Sequence, residues 1–294
     1  MKPTVRAAAL AFALAATALA PAAQAAPIAP AKIDEVANRA LKAFQVPGMA
    51  VGIVKDGKLV FARGYGVRAL GRPGAVDPDT LFQIGSNTKA FTAALLAQLV
   101  DEGKIRWDDK VIDYLPEFRL ADPYVTREFT IRDLLTHRSG LGLGAGDLMF
   151  YPTTDFTRAE VIRGLRYLKP VTGFRSEFAY DNTLYMVAGE LAHRVTGQPW
   201  EDMVKARILD PLGMTGCAAN YDRITDRSDV ASPHAIVEGR LTEIPVESID
   251  VVGPAGTINC SVNGMAKWMQ TQLACGPAPD GRQLFSAQRG GEMW

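Results

Sequence analysis

Gln83-Ile84-Gly85-Ser86-Asn87-Thr88-Lys89-Ala90-Phe91-Thr92-Ala93-Ala94-Leu95-Leu96-Ala97-Gln98-Leu99-Val100 is the stretch on which the reading of this chain turns. Residues 90–100 are apolar almost all round, with no charge before Asp101, which predicts a fully buried helix rather than an amphipathic one. Gly103 supplies its stop. A buried helix is an odd place for a lysine at its start. Ser86 and Lys89 stand at i and i+3, one turn apart on the same face. An ammonium held beside a hydroxyl, in a site short of water, can lose its proton and act as a base. That is what an activated serine nucleophile needs. The helix N-terminus adds free N–H groups and a positive dipole end, suited to a developing oxyanion.

Ser-x-x-Lys by itself is a weak signal, since a surface lysine in the first turn of a core helix would look the same. A second triplet supports it. Tyr180-Asp181-Asn182 contains the only Tyr-x-Asn among eight tyrosines. It follows Thr172-Gly173-Phe174 and precedes an apolar helix marked by Leu184, Met186, Val187, Leu191 and Val195. The triplet therefore sits on a loop entering a helix. A phenol can shuttle a proton and an amide can hold a substrate carbonyl. The bland alternative for the triplet alone is a turn with an Asn cap.

In this order and spacing, the two motifs resemble those of the penicillin-recognising serine hydrolases. The resemblance is to the branch with class C β-lactamases, D-alanyl-D-alanine carboxypeptidases, D-aminopeptidases and related esterases. Phe82-Gln83-Ile84-Gly85-Ser86-Asn87-Thr88-Lys89, Leu134-Leu135-Thr136-His137-Arg138-Ser139-Gly140-Leu141, Pro211-Leu212-Gly213-Met214 and Pro254-Ala255-Gly256 are similar to phrases of that branch. The likeness runs from about Ile33 to the C-terminus. It implies a β-lactamase/transpeptidase-like α/β sandwich with an inserted all-α domain, and acyl-enzyme hydrolysis of an amide or ester. In that scheme Ser86 is the nucleophile, Lys89 and Tyr180 transfer the proton, and Asn182 orients the substrate. Which of Lys89 and Tyr180 is the primary base is left open. No cofactor and no metal are implied; three scattered histidines have no ligand spacing. His137 belongs to a phrase that the family uses structurally, and the Ser-Lys-Tyr set leaves it no vacancy as a base.

Residues 1–25 read as a signal peptide: Lys2 and Arg6, an uncharged apolar core over 7–20, and the small-residue cleavage site Ala23-Gln24-Ala25. That core is too short to span a bilayer. The expected location is a bacterial periplasm or the medium, with no lipid anchor. Net charge is zero and basic runs are absent, which argues against nucleic acid or anionic membrane as partners. The expected partner is a small-molecule or peptide substrate; composition says nothing about oligomeric state.

Four segments follow: the leader 1–25, the first part of the α/β domain over 26–104, a helical domain over 105–244, and a return to the α/β domain over 245–294. Ile33, Val36, Ala40, Leu41 and Phe44 mark one helix face, ended by Pro47-Gly48. Met49–Lys55 and Lys58–Tyr65 read as strands joined by Asp56-Gly57, a turn that hairpins prefer. Further helices are expected over Arg158–Leu168, Thr183–Thr196, Trp200–Ile208 and Ser261–Leu273, with a short one capped by Thr130. Of Cys217, Cys260 and Cys275, the last two flank about 20 Å of helix, beyond the reach of a disulfide at about 4.4–6.8 Å. Free buried thiols are expected, with other partners for Cys217 left open.

The chain departs from the family at one place. The resemblance implies a third motif, Lys-Thr-Gly or His-x-Gly, on a strand that closes the cleft and supplies a second oxyanion N–H. None occurs before Trp294. The expectation is therefore that these residues are the N-terminal portion of a longer hydrolase, with the last strands of the sheet missing. A two-stranded hairpin is marginal alone and an open edge invites aggregation. Two other classes stay open: an inactive truncated homologue that at most binds a peptide or cell-wall fragment, and a secreted structural protein with coincidental motifs.

Overall fold

The computed structural model describes residues 29–293, so the expected leader lies outside the described residues. Ten helices and six strands follow in chain order among them. Helix α1 (Pro30–Phe44) opens on proline at its first position, where a missing N–H costs nothing. Strands β1 (Gly48–Lys55) and β2 (Lys58–Gly66) form the expected antiparallel hairpin. Its turn residues Asp56 and Gly57 both have positive φ, 52° and 72°, as a type I′ turn requires. Alternation along β2 gives the hairpin two faces. Arg63 and Tyr65 reach the Asp34 carboxylate of α1 from one side. Gly52 lies on the other side, pressed against Val262 so closely that a Cβ would meet its methyl at 2.6 Å.

Strand β3 (Phe82–Gln83) leads through a 3-10 turn, Gly85–Asn87, into helix α2 (Thr88–Asp101). Ser86 thus stands in the 3-10 turn just ahead of the α-helix rather than inside it. Phe91, Ala94, Leu95, Leu96, Ala97 and Leu99 are all fully buried, so α2 is the axis of the main core, as its uninterrupted apolar text predicts. Gly103, at φ 67°, ends the helix where expected. The next helices are short: α3 (Val111–Tyr114), α4 (Pro123–Glu128) and α5 (Arg158–Gly164). α5 is closed by a capping box between Thr157 and Glu160 and runs on as a 3-10 turn over Leu165–Tyr167. At Thr130 the expected cap is reciprocal: the Asp133 carboxylate accepts from the Thr130 N–H and hydroxyl, over a 3-10 turn.

Helix α6 spans Thr183–Thr196, the predicted bounds, and stops at Gly197 in the left-handed region. Helix α7 (Trp200–Val204) continues as a π-turn over Lys205–Leu209. Strands β4 (His234–Val237) and β5 (Arg240–Glu243) make a second hairpin. Helix α8 (Gly253–Gly256), strand β6 (Asn259–Cys260) and helix α9 (Val262–Leu273) bring the chain back beside α2. Ser261 caps α9, and Trp268 of α9 stacks on Phe91 of α2 with ring centroids 4.1 Å apart. Helix α10 (Ala287–Glu292) ends the described chain.

Two contacts place α8. Its Pro254 carbonyl accepts from the Thr92 hydroxyl at 2.7 Å, and Gly189 of α6 lets it approach: a Cβ there would lie 2.2 Å from the proline ring. β6 pairs with β3, and its Asn259 exchanges backbone hydrogen bonds with Ala218. That juxtaposition corrects the cysteine expectation. Cys217 and Cys260 form a disulfide, because β6 lies alongside the residues that follow Cys217. Cys275 is free, and the α9 helix separates it from Cys260 as predicted.

Candidate active site

Three separate stretches converge on Lys89. Its Nζ donates to Ser86 Oγ at 3.0 Å, to Asn182 Oδ1 at 2.9 Å and to the Ala255 carbonyl at 2.9 Å. Three acceptors match the three protons of an ammonium. Ser86 Oγ also lies 2.6 Å from the Tyr180 hydroxyl. The four residues singled out in the sequence are therefore joined in one chain of hydrogen bonds, Tyr180–Ser86–Lys89–Asn182. Ser86 is exposed and open to a substrate, whereas Lys89 is only 6 % exposed. Burial lowers the Lys89 pKa from its ordinary value; Tyr180, Asp181 and Asp147 oppose that shift. A buried lysine whose hydrogen-bond partners are all neutral is poised to exchange a proton with Ser86 or Tyr180.

The local fold explains why Asn182 can face the lysine. Asn182 occupies the cap position of α6 but makes no side-chain cap bond. Asp181 caps instead: its Oδ1 accepts from the Leu184 N–H at 2.8 Å and the Thr183 hydroxyl at 3.0 Å. Asp181 is deeply buried, which raises its pKa to about 6. The Asn182 amide is left free to bridge. Its Oδ1 accepts a hydrogen bond from Lys89 Nζ, and its Nδ2 donates to both oxygens of Asp147 at 3.3 Å.

His137 supports Tyr180 from behind. The two rings stack at 4.5 Å with 28° between planes. His137 Nδ1 accepts from the Asp181 N–H at 3.2 Å, and its carbonyl accepts from Ala179 N–H at 2.7 Å. The accepted bond fixes the tautomer with any ring proton on Nε2. Burial and the Lys89 charge together lower its pKa to about 4, so the ring is neutral at neutral pH. Its φ of 54° is the left-handed value that a non-glycine residue holds only under constraint. The Asp147 contact, the Ala255 carbonyl and this stacking were not read from the sequence. Ala255 and His137 lie in stretches quoted for the family resemblance, whereas nothing in the sequence singled out Asp147.

Residues 33–293 match the Beta-lactamase family. Unguisins hydrolase ungD of Aspergillus violaceofuscus (strain CBS 115571) is 32 % identical over 80 % of this chain and 43 % of its own length. Penicillin-binding protein 4 of Amycolatopsis lactamdurans is 33 % identical, over 82 % of this chain and 63 % of its own. The octameric penicillin-binding protein homologue from Pyrococcus abyssi superposes with a TM-score of 0.75 at 27 % identity, covering 89 % of this chain and 59 % of that one. The chain thus spans about half the length of the curated relatives it matches. With the family match running over nearly all the described residues and a fold shared with penicillin-binding protein homologues, the chain belongs to the Beta-lactamase family.

Proposed function

We propose that the protein is an exported serine hydrolase that cleaves an amide or ester through an acyl-enzyme on Ser86. The substrate class is a peptide, a D-amino-acid amide, a β-lactam or a simple ester. The observation that carries the reading is the placement of Ser86 Oγ, 2.6 Å from the Tyr180 hydroxyl and 3.0 Å from Lys89 Nζ. Family membership, and relatives named for hydrolysing unguisins and for binding penicillin, support it.

In this reading Ser86 Oγ attacks the acyl carbon as its proton passes to the Lys89–Tyr180 pair. The Ser86 N–H, beside the start of α2, donates one bond to the oxyanion. The protonated pair returns the proton to the leaving group, and the C–N or C–O bond breaks. Water, deprotonated by the same pair, then releases the acyl group and regenerates Ser86. One Asn182 N–H shared between the two Asp147 oxygens would leave the amide's other N–H for a substrate carbonyl.

The test is active-site labelling of the chain with a fluorophosphonate probe and a fluorescent penicillin, with the modified peptide identified by mass. The expected adduct is on Ser86 and disappears in Ser86→Ala. Label that survives that substitution overturns the assignment. So does a cooperatively folded wild-type chain that takes up neither probe.

A further inference from the structure

We infer that Asp147 is a positioning residue of this site: its carboxylate locks the Asn182 amide with the oxygen on Lys89 and the nitrogen toward itself. The inference rests on the hydrolase reading for its consequence but not for its geometry.

The three hydrogen-bond partners of Lys89 are all neutral: a hydroxyl, an amide oxygen and a backbone carbonyl. Asp147 is one step further out, joined to the ammonium only through Asn182. Carboxylate, amide and ammonium lie in sequence, and the amide dipole bridges the two charges. Turning the amide over would set its NH2 against the ammonium and its oxygen against the carboxylate, so both ends would repel. Two charges therefore fix an orientation that the amide could not keep by its own chemistry. The other nearby carboxylate is already committed. Asp181 spends Oδ1 on the cap of α6, and its Oδ2 is buried without a partner.

The backbone around Asp147 is built to deliver it. Gly146 sits at φ 81°, and a Cβ there would meet Met149 at 2.8 Å and Leu168 and Thr183 at 3.0 Å. Thr183 is the residue after Asn182, so this turn packs directly on the start of α6. The charged and titratable groups around Lys89 are Tyr180 and Asp181 before α6, Tyr185 on α6, His137 behind Tyr180, and Asp147. Arg132 and Glu292 line a cavity of about 410 Å³ on its other side. Among the described residues, Asp147 is the carboxylate linked to Lys89 through Asn182, the side chain that the hydrolase reading assigns to the substrate.

The test uses Asp147→Asn, Asp147→Ala, Asn182→Ala and the double Asp147→Ala/Asn182→Ala, each checked by thermal melting. Two readouts are taken: the rate of Ser86 acylation by the fluorophosphonate probe, and the titration of Lys89 followed by NMR of its ε-carbon. Asp147→Ala is expected to slow acylation about tenfold in the wild-type background and less than about twofold in Asn182→Ala, because the effect passes through Asn182. Asp147→Asn keeps an acceptor oxygen but not the charge. It is expected to acylate faster than Asp147→Ala while lowering the Lys89 pKa by at least about half a unit. An equal penalty in both backgrounds overturns the inference, as does a Lys89 titration that Asp147→Asn leaves in place. If the wild type takes up no probe, the hydrolase reading fails, and the Lys89 titration alone decides the role of Asp147.

Discussion

Replacing Gly189 by alanine tests the packing that delivers a carbonyl to Lys89. The new methyl would lie 2.2 Å from Pro254 Cγ and 2.9 Å from Pro254 Cβ. Ordinary carbon contacts are about 3.5–4.0 Å, so α8 has to retreat by roughly 1.3–1.8 Å or α6 has to bend. The Thr92–Pro254 and Lys89–Ala255 bonds are 2.7 and 2.9 Å long, and a retreat of that size takes both out of range. Their loss costs about 1 kcal/mol for the neutral bond and about 1.5–3 kcal/mol for the one to the ammonium. If the helices hold their ground, overpacking costs about 1–3 kcal/mol instead. Against this, alanine gains about 1 kcal/mol over glycine inside a helix. The net expectation is a loss of about 1.5–3 kcal/mol if α8 retreats and about 0–2 kcal/mol if the helices hold, read as a lower urea midpoint at unchanged slope. Gly291→Ala, with nothing within 4 Å of the added Cβ, is the control and should not destabilise. A Gly189→Ala chain stabilised by the full alanine preference of about 1 kcal/mol would refute the argument that α8 is seated by direct contact with α6.

Lys89→Ala and Tyr180→Phe should each lower kcat by about two to four powers of ten, in a pre-steady-state assay with a chromogenic ester. The double variant should cost less than the product of the two; strict additivity would show that they do not act as one unit. Stability near the site should depend on pH with two opposed contributions. His137, depressed to about 4, adds stability that is present above about pH 6.5 and is lost as pH falls toward 4. Asp181, raised to about 6, works the other way, its contribution falling as pH rises from about 4 to 6. His137→Gln should therefore flatten the rise in urea midpoint between pH 4 and 6.5, and Asp181→Asn should steepen it. Reducing the Cys217–Cys260 bridge, or replacing both cysteines by serine, should lower stability by about 2–4 kcal/mol in the same titration. An unchanged midpoint would show that the bridge does not constrain the unfolded chain.

Local order was legible wherever it was written in a continuous stretch. The apolar run after Lys89 gave α2, Gly103 marked its end, and Asp56-Gly57 gave the hairpin. Ser86, Lys89, Tyr180 and Asn182 stood out because each sits at the mouth of a buried helix, where polar residues need a reason. What depended on chains meeting sideways was not legible. Cys217 and Cys260 are 43 residues apart and pair only because β6 lies against Ala218. Asp147 lies in a glycine-rich turn with no periodicity, so nothing in its neighbourhood announces that it will face Asn182. The cap of α6 shows the limit most sharply. Asp181 and Asn182 are both good capping residues, and only the completed packing decides which one turns inward to the helix and which one outward to the lysine.

Lys89 holds partners 3, 93 and 166 residues away along the chain. The last of these contacts cannot close until the intervening polypeptide has folded and carried residue 255 back to α2. Loops of that length form slowly, since their closure entropy has to be met before the contact rewards it. In the proposed hydrolase reading, a nascent or partly unfolded chain would carry Ser86 as an ordinary, unreactive alcohol, and reactivity would appear only with the final tertiary closure. An acylating probe added during refolding would count completed molecules, and its time course would report the slowest long-range step rather than the early formation of helices.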